Sequence, residues 1–122
     1  MSKKLLALQE KLRRYALTFP ESTEDHPWDH IAIKVRKKAF VFLSGAELYE
    51  GKLSMTVKLP VSGEMVLTLP YVEPAGYGLG RSGWVTMRLG SKDPVDLEMF
   101  KGWIVQSYRA VAPKTLVKKL KL

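Results

Sequence analysis

The sequence of 122 residues contains no cysteine, which excludes disulfides, thiolate metal sites and thiol nucleophiles. It also lacks any apolar run near the ~20 residues needed to span a bilayer. The short run Leu5–Leu8 is followed at once by polar residues and is too short for a signal peptide. We therefore expect a cytoplasmic protein, a monomer or small homo-oligomer, that makes no membrane contact.

The composition is that of an ordinary globular protein, with 46% apolar and 26% charged residues. A chain of this length can bury a core without disulfides or metal ions. It has no internal repeat, linker or low-complexity segment. We predict one domain that covers residues 1–122.

The positive charge is concentrated at the two ends of the chain and in one short internal run. Of the net charge of +8, residues 1–14 carry +4 and residues 113–122 carry +4, while the residues between them are balanced. The densest internal run is Lys34, Arg36, Lys37 and Lys38, four of five consecutive residues. Clustered cations repel one another unless they are well solvated or meet an anion. A polyanion is therefore the partner that the charge pattern favours first.

The hydrophobic periodicity predicts helices at both ends and strands between them. Apolar residues at helical spacing predict a first helix over 2–17, and an acidic loop follows over 21–30. Alternating residues predict strands over 31–36, 39–43, 53–59 and 84–89, with a hairpin turn at 36–38. We predict a short helix over 62–69, a loop over 71–83 and a long helix starting near Asp93. Strands grouped in this way predict an α+β fold with helices on one face of an antiparallel sheet, in the order α-β-β-β-α-β-α plus a short C-terminal helix.

The polar side chains of these strands fall on the sheet face opposite the predicted helices. This outer face would carry Lys34, Arg36, Thr56, Lys58, Trp84, Thr86 and Arg88. Such a surface can hold phosphates by its cations and stack a base on the indole ring. It is equally consistent with an ordinary solvated face in which the tryptophan packs at the rim.

Three segments carry residues with catalytic or ligand-binding chemistry, and none of them predicts a site of that kind. The segment 24–30 holds both histidines, but Pro27 between them argues against the helix that would align them on a metal ion. The glycine-rich loop 76–83 leads into a strand rather than a helix, so no nucleotide cofactor is predicted, although Arg81 there is a candidate phosphate contact. Ser107 has no histidine at a spacing typical of a triad. We therefore predict no catalytic residue, no metal, no cofactor and no enzymatic activity.

Several short motifs, in their order and spacing, resemble the MmcQ/YjbR family. They are His26-Pro27-Trp28 before the strand 31–35, Trp84-Val85-Thr86, and Gln106-Ser107-Tyr108-Arg109. The resemblance implies a frataxin-like (CyaY-like) α+β fold and DNA binding through a double-wing arrangement, with the 36–38 hairpin as a wing tip. Frataxins bind iron through an acidic first helix, whereas here that helix is basic and has only Glu10, so the resemblance does not extend to iron.

We expect the nucleic-acid contacts to come from the hairpin, the outer sheet face and the glycine-rich loop. The candidate residues are Lys34, Arg36, Lys37, Lys38, Lys58, Arg81, Trp84 and Arg88. Two alternatives stay open: a protein-interaction module on the open sheet face around Trp84, and a small-molecule site between the glycine-rich loop, Lys58 and Trp84. A deep cavity at the latter place would favour the small-molecule site.

Overall fold

The computed structural model describes residues 3–45, 47–48, 50–76 and 79–120, and of Trp28 and Arg81 only the backbone. The helices in these ranges are α1 (Lys3–Ala16), α2 (Gly63–Val66), α3 (Leu97–Val111) and α4 (Lys114–Val117). The strands are β1 (Ser22–Asp25), β2 (Ile31–Val35), β3 (Lys38–Leu43), β4 (Leu53–Lys58), β5 (Val72–Pro74) and β6 (Trp84–Leu89). Two 3₁₀ turns lie at Pro27–Asp29 and Leu79–Ser82.

The six strands form one antiparallel sheet in the order β1-β2-β3-β4-β6-β5. Helices α1 and α3 pack against one face of the sheet and against each other. In β4 buried residues alternate with half-buried ones, because successive side chains of a strand point to opposite faces. The predicted α+β fold is confirmed.

The core lies between the two long helices and the sheet. Helix α1 buries Leu5, Leu8 and Leu12, and α3 buries Phe100 and Ile104 along with neighbouring residues. Aromatic rings close the core near the β2–β3 hairpin, where the rings of Phe19, Phe40 and Tyr108 contact one another. The apolar stripes that predicted the helices are thus the surfaces that hold the two layers together.

Two edge strands lie in segments that the sequence predicted as loops. Strand β1 lies within the predicted acidic loop 21–30, and β5 lies within the predicted loop 71–83. They are only four and three residues long and pair through backbone hydrogen bonds at the sheet edges, so side-chain periodicity does not reveal them. The loop predictions were wrong at these residues, and the additional strands supply carboxylates to the outer sheet face.

Helix α3 begins later than predicted. The Asp96 carboxylate accepts a hydrogen bond from the N–H of Met99 at 3.0 Å and caps the helix. Asp93, the predicted cap, instead accepts from the N–H of Gly90 at 2.7 Å and closes the preceding turn. None of the described helices is long and apolar enough to cross a membrane.

Candidate functional site

The β2–β3 hairpin places two cations at its tip in a strained backbone conformation. Arg36 and Lys37 have φ angles of +50° and +70°, between the paired residues Val35 and Lys38. A tight hairpin turn with positive φ at both central residues is usually made by Asn-Gly or similar pairs. A side chain in this region costs roughly 1–2 kcal/mol per residue. Two long basic side chains therefore occupy turn positions at which asparagine and glycine would be more stable.

Arg36 forms a two-pronged ion pair with the carboxylate of Glu21. Arg36 Nε donates to Glu21 Oε1 at 2.7 Å, and Arg36 Nη2 donates to Glu21 Oε2 at 3.0 Å. The hydrogen bond from Arg36 lowers the pKa of Glu21, and the positive charges of Arg36 and Lys119 lower it further. Lys119, which follows α4, is therefore close enough to Glu21 for its charge to act on that carboxylate.

Lys34 and Lys58 lie on the outer sheet face beside the hairpin. Lys34 pairs with Ala39 across the strands, and Lys58 pairs with Trp84, so that β3 separates the two lysines. The Lys34 ammonium donates to Asp25 at 3.0 Å, a bond that lowers the pKa of that carboxyl. We call the hairpin residues 35–38 together with Lys34 and Lys58 the basic end of the sheet.

A buried serine fixes the backbone beneath the basic end. The Ser107 hydroxyl accepts from the N–H of Lys58 at 2.8 Å and donates to the carbonyl of Phe40 at 2.5 Å. Ser107 is completely buried. It connects α3 to β3 and β4, so the position of Lys58 depends on the core and not on loop residues.

The candidate cations differ in their carboxylate partners. Lys34 pairs with Asp25, Arg36 with Glu21 and Arg88 with Glu73. In contrast, the salt bridges within the described ranges do not involve Lys37, Lys38 or Lys58. The predicted surface is thus partly neutralised, and the unbalanced charge lies at the hairpin.

One of the predicted contacts, Arg88, does not join the basic end, and another falls on a side chain outside the described residues. Arg88 is on the same sheet face but four residues along β6 from Trp84, and it bonds to Glu73 at 2.6 Å. The side chain of Arg81 lies outside the described residues. The structure therefore brings together Lys34, Arg36, Lys37, Lys38, Lys58 and Trp84, and it places Arg88 apart from them.

Next to Trp84 the outer face forms an open groove of about 600 Å³, here named the sheet groove. Its sheet residues include Phe42, Thr56, Thr86, Ser54 and Arg88, which belong to three neighbouring strands. Pro27 and His30 border it, as do Ala75, Gly76 and Leu79. The predicted small-molecule site included Lys58 and Trp84, and neither residue lines the groove. The groove therefore lies farther from the hairpin than the predicted site.

The sequence analysis missed Phe42 because a β-bulge lies beside it. The register between β2 and β3 shifts at Ile33 and Lys34, which leaves Phe40 as the extra residue of β3. Phe40 is buried among the core aromatics, whereas the Phe42 ring lies on the outer face, 6.0 Å from the Trp84 ring. Regular alternation would put both phenylalanines on one face.

A second cavity, of about 900 Å³, lies between α1 and the segment 26–30. The buried Gln9 amide crosses it, donating to the carbonyl of Gly45 at 2.6 Å and accepting from the Ser44 hydroxyl. Of the two histidines, His26 contacts Glu24 and His30 contacts the carbonyl of Ser44. Among the described residues no group of three or more His, Cys, Asp and Glu is arranged to hold a metal ion.

Comparison with known proteins gives one family and one fold. The family model described as YjbR matches residues 17–110. Among solved structures, a Deinococcus radiodurans protein with a DUF419 domain is similar in fold, with a TM-score of 0.71 and 24% sequence identity over 93% of this chain and 88% of that one. No curated protein matches the chain.

Proposed function

Because the chain belongs to the YjbR family, we propose that it is a non-enzymatic nucleic-acid-binding protein that holds DNA phosphates at the basic end of its sheet. The resemblance on which the sequence analysis relied implies DNA binding for this family. The hairpin then acts as a wing whose tip carries Arg36 and Lys37.

The observation that carries this proposal is the unbalanced charge of the hairpin. Lys37 and Lys38 are exposed and extend from a turn that the core and the Ser107 hydrogen bonds support. Lys58 lies two strands from Lys34 on the same face, and no salt bridge within the described ranges neutralises it. Cations that are fixed in place and lack a carboxylate partner favour phosphate oxygens as ligands.

The strain at the tip supports the same function. Residues in rarely populated backbone conformations persist where the surrounding structure determines them, and they cluster at functional sites. Two basic residues at φ of +50° and +70° increase the charge of the tip at the expense of local stability. A contact with an anion compensates for that cost when the ligand is bound.

A salt titration of binding tests the proposal. Contacts from Lys37, Lys38 and Lys58 to three phosphates should make log K fall with log[salt] with a slope of about −2 to −3. The measurement is fluorescence anisotropy of labelled single-stranded and duplex DNA at increasing NaCl concentrations. Affinity that does not change with salt, or no binding at low salt, would contradict the proposal.

A protein-interaction module is the second candidate, and the surroundings of Trp84 favour it. A cavity of about 360 Å³ is lined by Trp84, by Gly80 and Gly83 of the glycine-rich loop, and by residues of the α2 region. Val61 and Met65, in the same region of the chain as α2, do not line it but are 92% and 77% exposed. Large exposed apolar side chains, and a tryptophan in the wall of a cavity, are typical of binding surfaces. The variant Trp84→Ala separates the candidates, because it should abolish a protein interface built on this ring yet reduce phosphate-driven binding only a few-fold.

A further inference from the structure

The sheet groove combines an apolar aromatic surface with a set of hydroxyl groups. Phe42, Thr56 and Thr86 pair in register across β3, β4 and β6 and form one row of the outer face. Ser54 and Arg88 form the next row away from the hairpin. All five residues line the groove, and so does Leu79, which is 42% exposed.

The hydroxyl groups of the groove retain unused hydrogen-bonding capacity. The Oγ1 atoms of Thr56 and Thr86 are 2.9 Å apart, and one of them donates to the other. A hydroxyl offers one donor and two acceptor positions, so this pair still has one donor and several acceptor positions available. A ligand edge that carries both donors and acceptors complements such a pair, whereas a purely hydrocarbon ligand leaves it unsatisfied.

A nucleobase has the required combination of flat apolar faces and a polar edge. The Phe42 ring offers a stacking surface, and the hydroxyl row lies on the strands beside it. The row of Lys58 and Trp84 is two residues nearer the hairpin than the row of Thr56 and Thr86, a distance of roughly 7 Å along a strand. A backbone phosphate at the basic end and the base attached to it can therefore reach both places.

We propose that the sheet groove binds one unstacked base of a single-stranded nucleic acid whose phosphates lie on the basic end. This inference rests on the proposed function, because the basic end supplies most of the affinity. Bases inside a duplex are stacked and paired, so they cannot present a face to Phe42 and an edge to the threonines together. The protein thus prefers single strands to duplexes, and the groove is the origin of that preference.

Three probes of equal length test the proposal with the wild-type protein: a single-stranded oligothymidine, an abasic single strand with the same phosphates, and a duplex. Affinities are measured by fluorescence anisotropy at one salt concentration. We expect the oligothymidine to bind about tenfold more tightly than the abasic strand, since stacking of one base supplies an effect of that order. Equal affinity for oligothymidine and the abasic strand overturns the groove proposal and leaves the proposed function intact. No binding of any probe overturns both.

Paired variants locate the base. Thr56→Val together with Thr86→Val keeps the size of both side chains and removes the hydroxyls, and Phe42→Leu removes the ring. Each should reduce the tenfold advantage of oligothymidine at least threefold while leaving affinity for the abasic strand unchanged. Thr23→Val, at an exposed hydroxyl of the edge strand β1, is the matched control and should change neither affinity. An advantage that persists in both groove variants, with thermal unfolding confirming that they are folded, contradicts the proposal.

Discussion

The two ends of the outer sheet face are stabilised in different ways. The basic end is a strained hairpin fixed from below by Ser107 and flanked by cations, of which Lys37, Lys38 and Lys58 have no described carboxylate partner. The groove end is bordered by two irregular segments and carries hydroxyls and an aromatic ring. A salt-dependent contact at one end and a shape-dependent contact at the other are separable by mutation, because they share a sheet but few side chains.

Gly45, at the groove end, should give the largest effect on stability. It has a φ of +96°, and a Cβ atom there would lie 2.2 Å from the carbonyl oxygen of Asp29. Gly45→Ala should therefore lower the free energy of unfolding by about 3 kcal/mol in chemical denaturation. Gly51→Ala is the matched control, because its φ is +76° and nothing lies within 4 Å of the added atom. Similar losses in both variants would show that backbone strain, and not the contact with Asp29, makes Gly45 necessary.

Ser107→Ala probes the support of the basic end. It leaves the N–H of Lys58 and the carbonyl of Phe40 without their hydrogen-bond partner, at a cost of about 2 kcal/mol. The measurement is urea-induced unfolding, and Ser62→Ala, at a half-buried serine bonded to Gln106, is the control with an expected smaller loss. Equal losses in the two variants would mean that burial of Ser107 adds nothing.

Charge reversal at the hairpin should weaken binding by one to two orders of magnitude. In Lys37→Glu with Lys38→Glu, two phosphate contacts are lost and two repulsive charges are added. Lys52→Glu with Lys92→Glu makes the same change in net charge at the opposite end of the sheet and should reduce affinity only a few-fold. If both pairs weaken binding equally, net charge and not the basic end determines affinity.

Glu21→Gln should strengthen nucleic-acid binding about threefold. The carboxylate that holds Arg36 competes with phosphate for the guanidinium, so its removal frees one cation at the tip. The salt slope should also become steeper by somewhat less than one. Glu47→Gln, at an exposed carboxylate remote from the hairpin, serves as the control. Unchanged affinity in Glu21→Gln would show that Arg36 does not reach the ligand.

The smallest effect is on the pH dependence of stability. The pKa values of Glu21 and Asp25 are lowered in the folded protein by hydrogen bonds from Arg36 and Lys34, respectively. Their contribution to stability is therefore complete above the ordinary carboxyl pKa and is lost as the pH falls through the lowered folded values. Acid unfolding of the wild type should be slightly steeper than that of Glu21→Gln with Asp25→Asn, and the difference is small because both pairs are exposed. Superimposable acid curves would contradict the lowered values.

Much of the fold was predictable because it depends on long periodic patterns. The apolar stripes of α1 and α3 and the alternation in β4 and β6 each repeat over several residues. The secondary structure of each element and the face that it buries therefore follow from side-chain chemistry alone. The edge strands were not predictable in this way. Ser22–Asp25 and Val72–Pro74 owe their conformation to backbone pairing with a neighbouring strand, a tertiary interaction without a local signal.

The candidate site also has a part that was predictable from the sequence and a part that was not. The sequence located the hairpin cations, because a basic turn between two alternating strands is a local feature. The pairing of Lys34 with Asp25 and of Arg88 with Glu73 was not foreseen, because both carboxylates reach the outer face only through strands that the sequence did not reveal. Phe42 was missed for the same reason, since the bulge that turns it outward is a property of the pairing between β2 and β3.

The bulge in β3 separates the filling of the core from the chemistry of the outer face. Phe40 fills the space between Phe19 and Tyr108 as the extra residue, while Ala39 and Phe42 on either side of it pair with Lys34 and Ala32 and face outward. Removing that one position would empty the interior at the point where the aromatic rings meet, yet the shortened strand would alternate regularly and keep Phe42 outward. Homologues with one residue fewer in this strand should therefore recognise the same ligand and have a lower thermal tolerance.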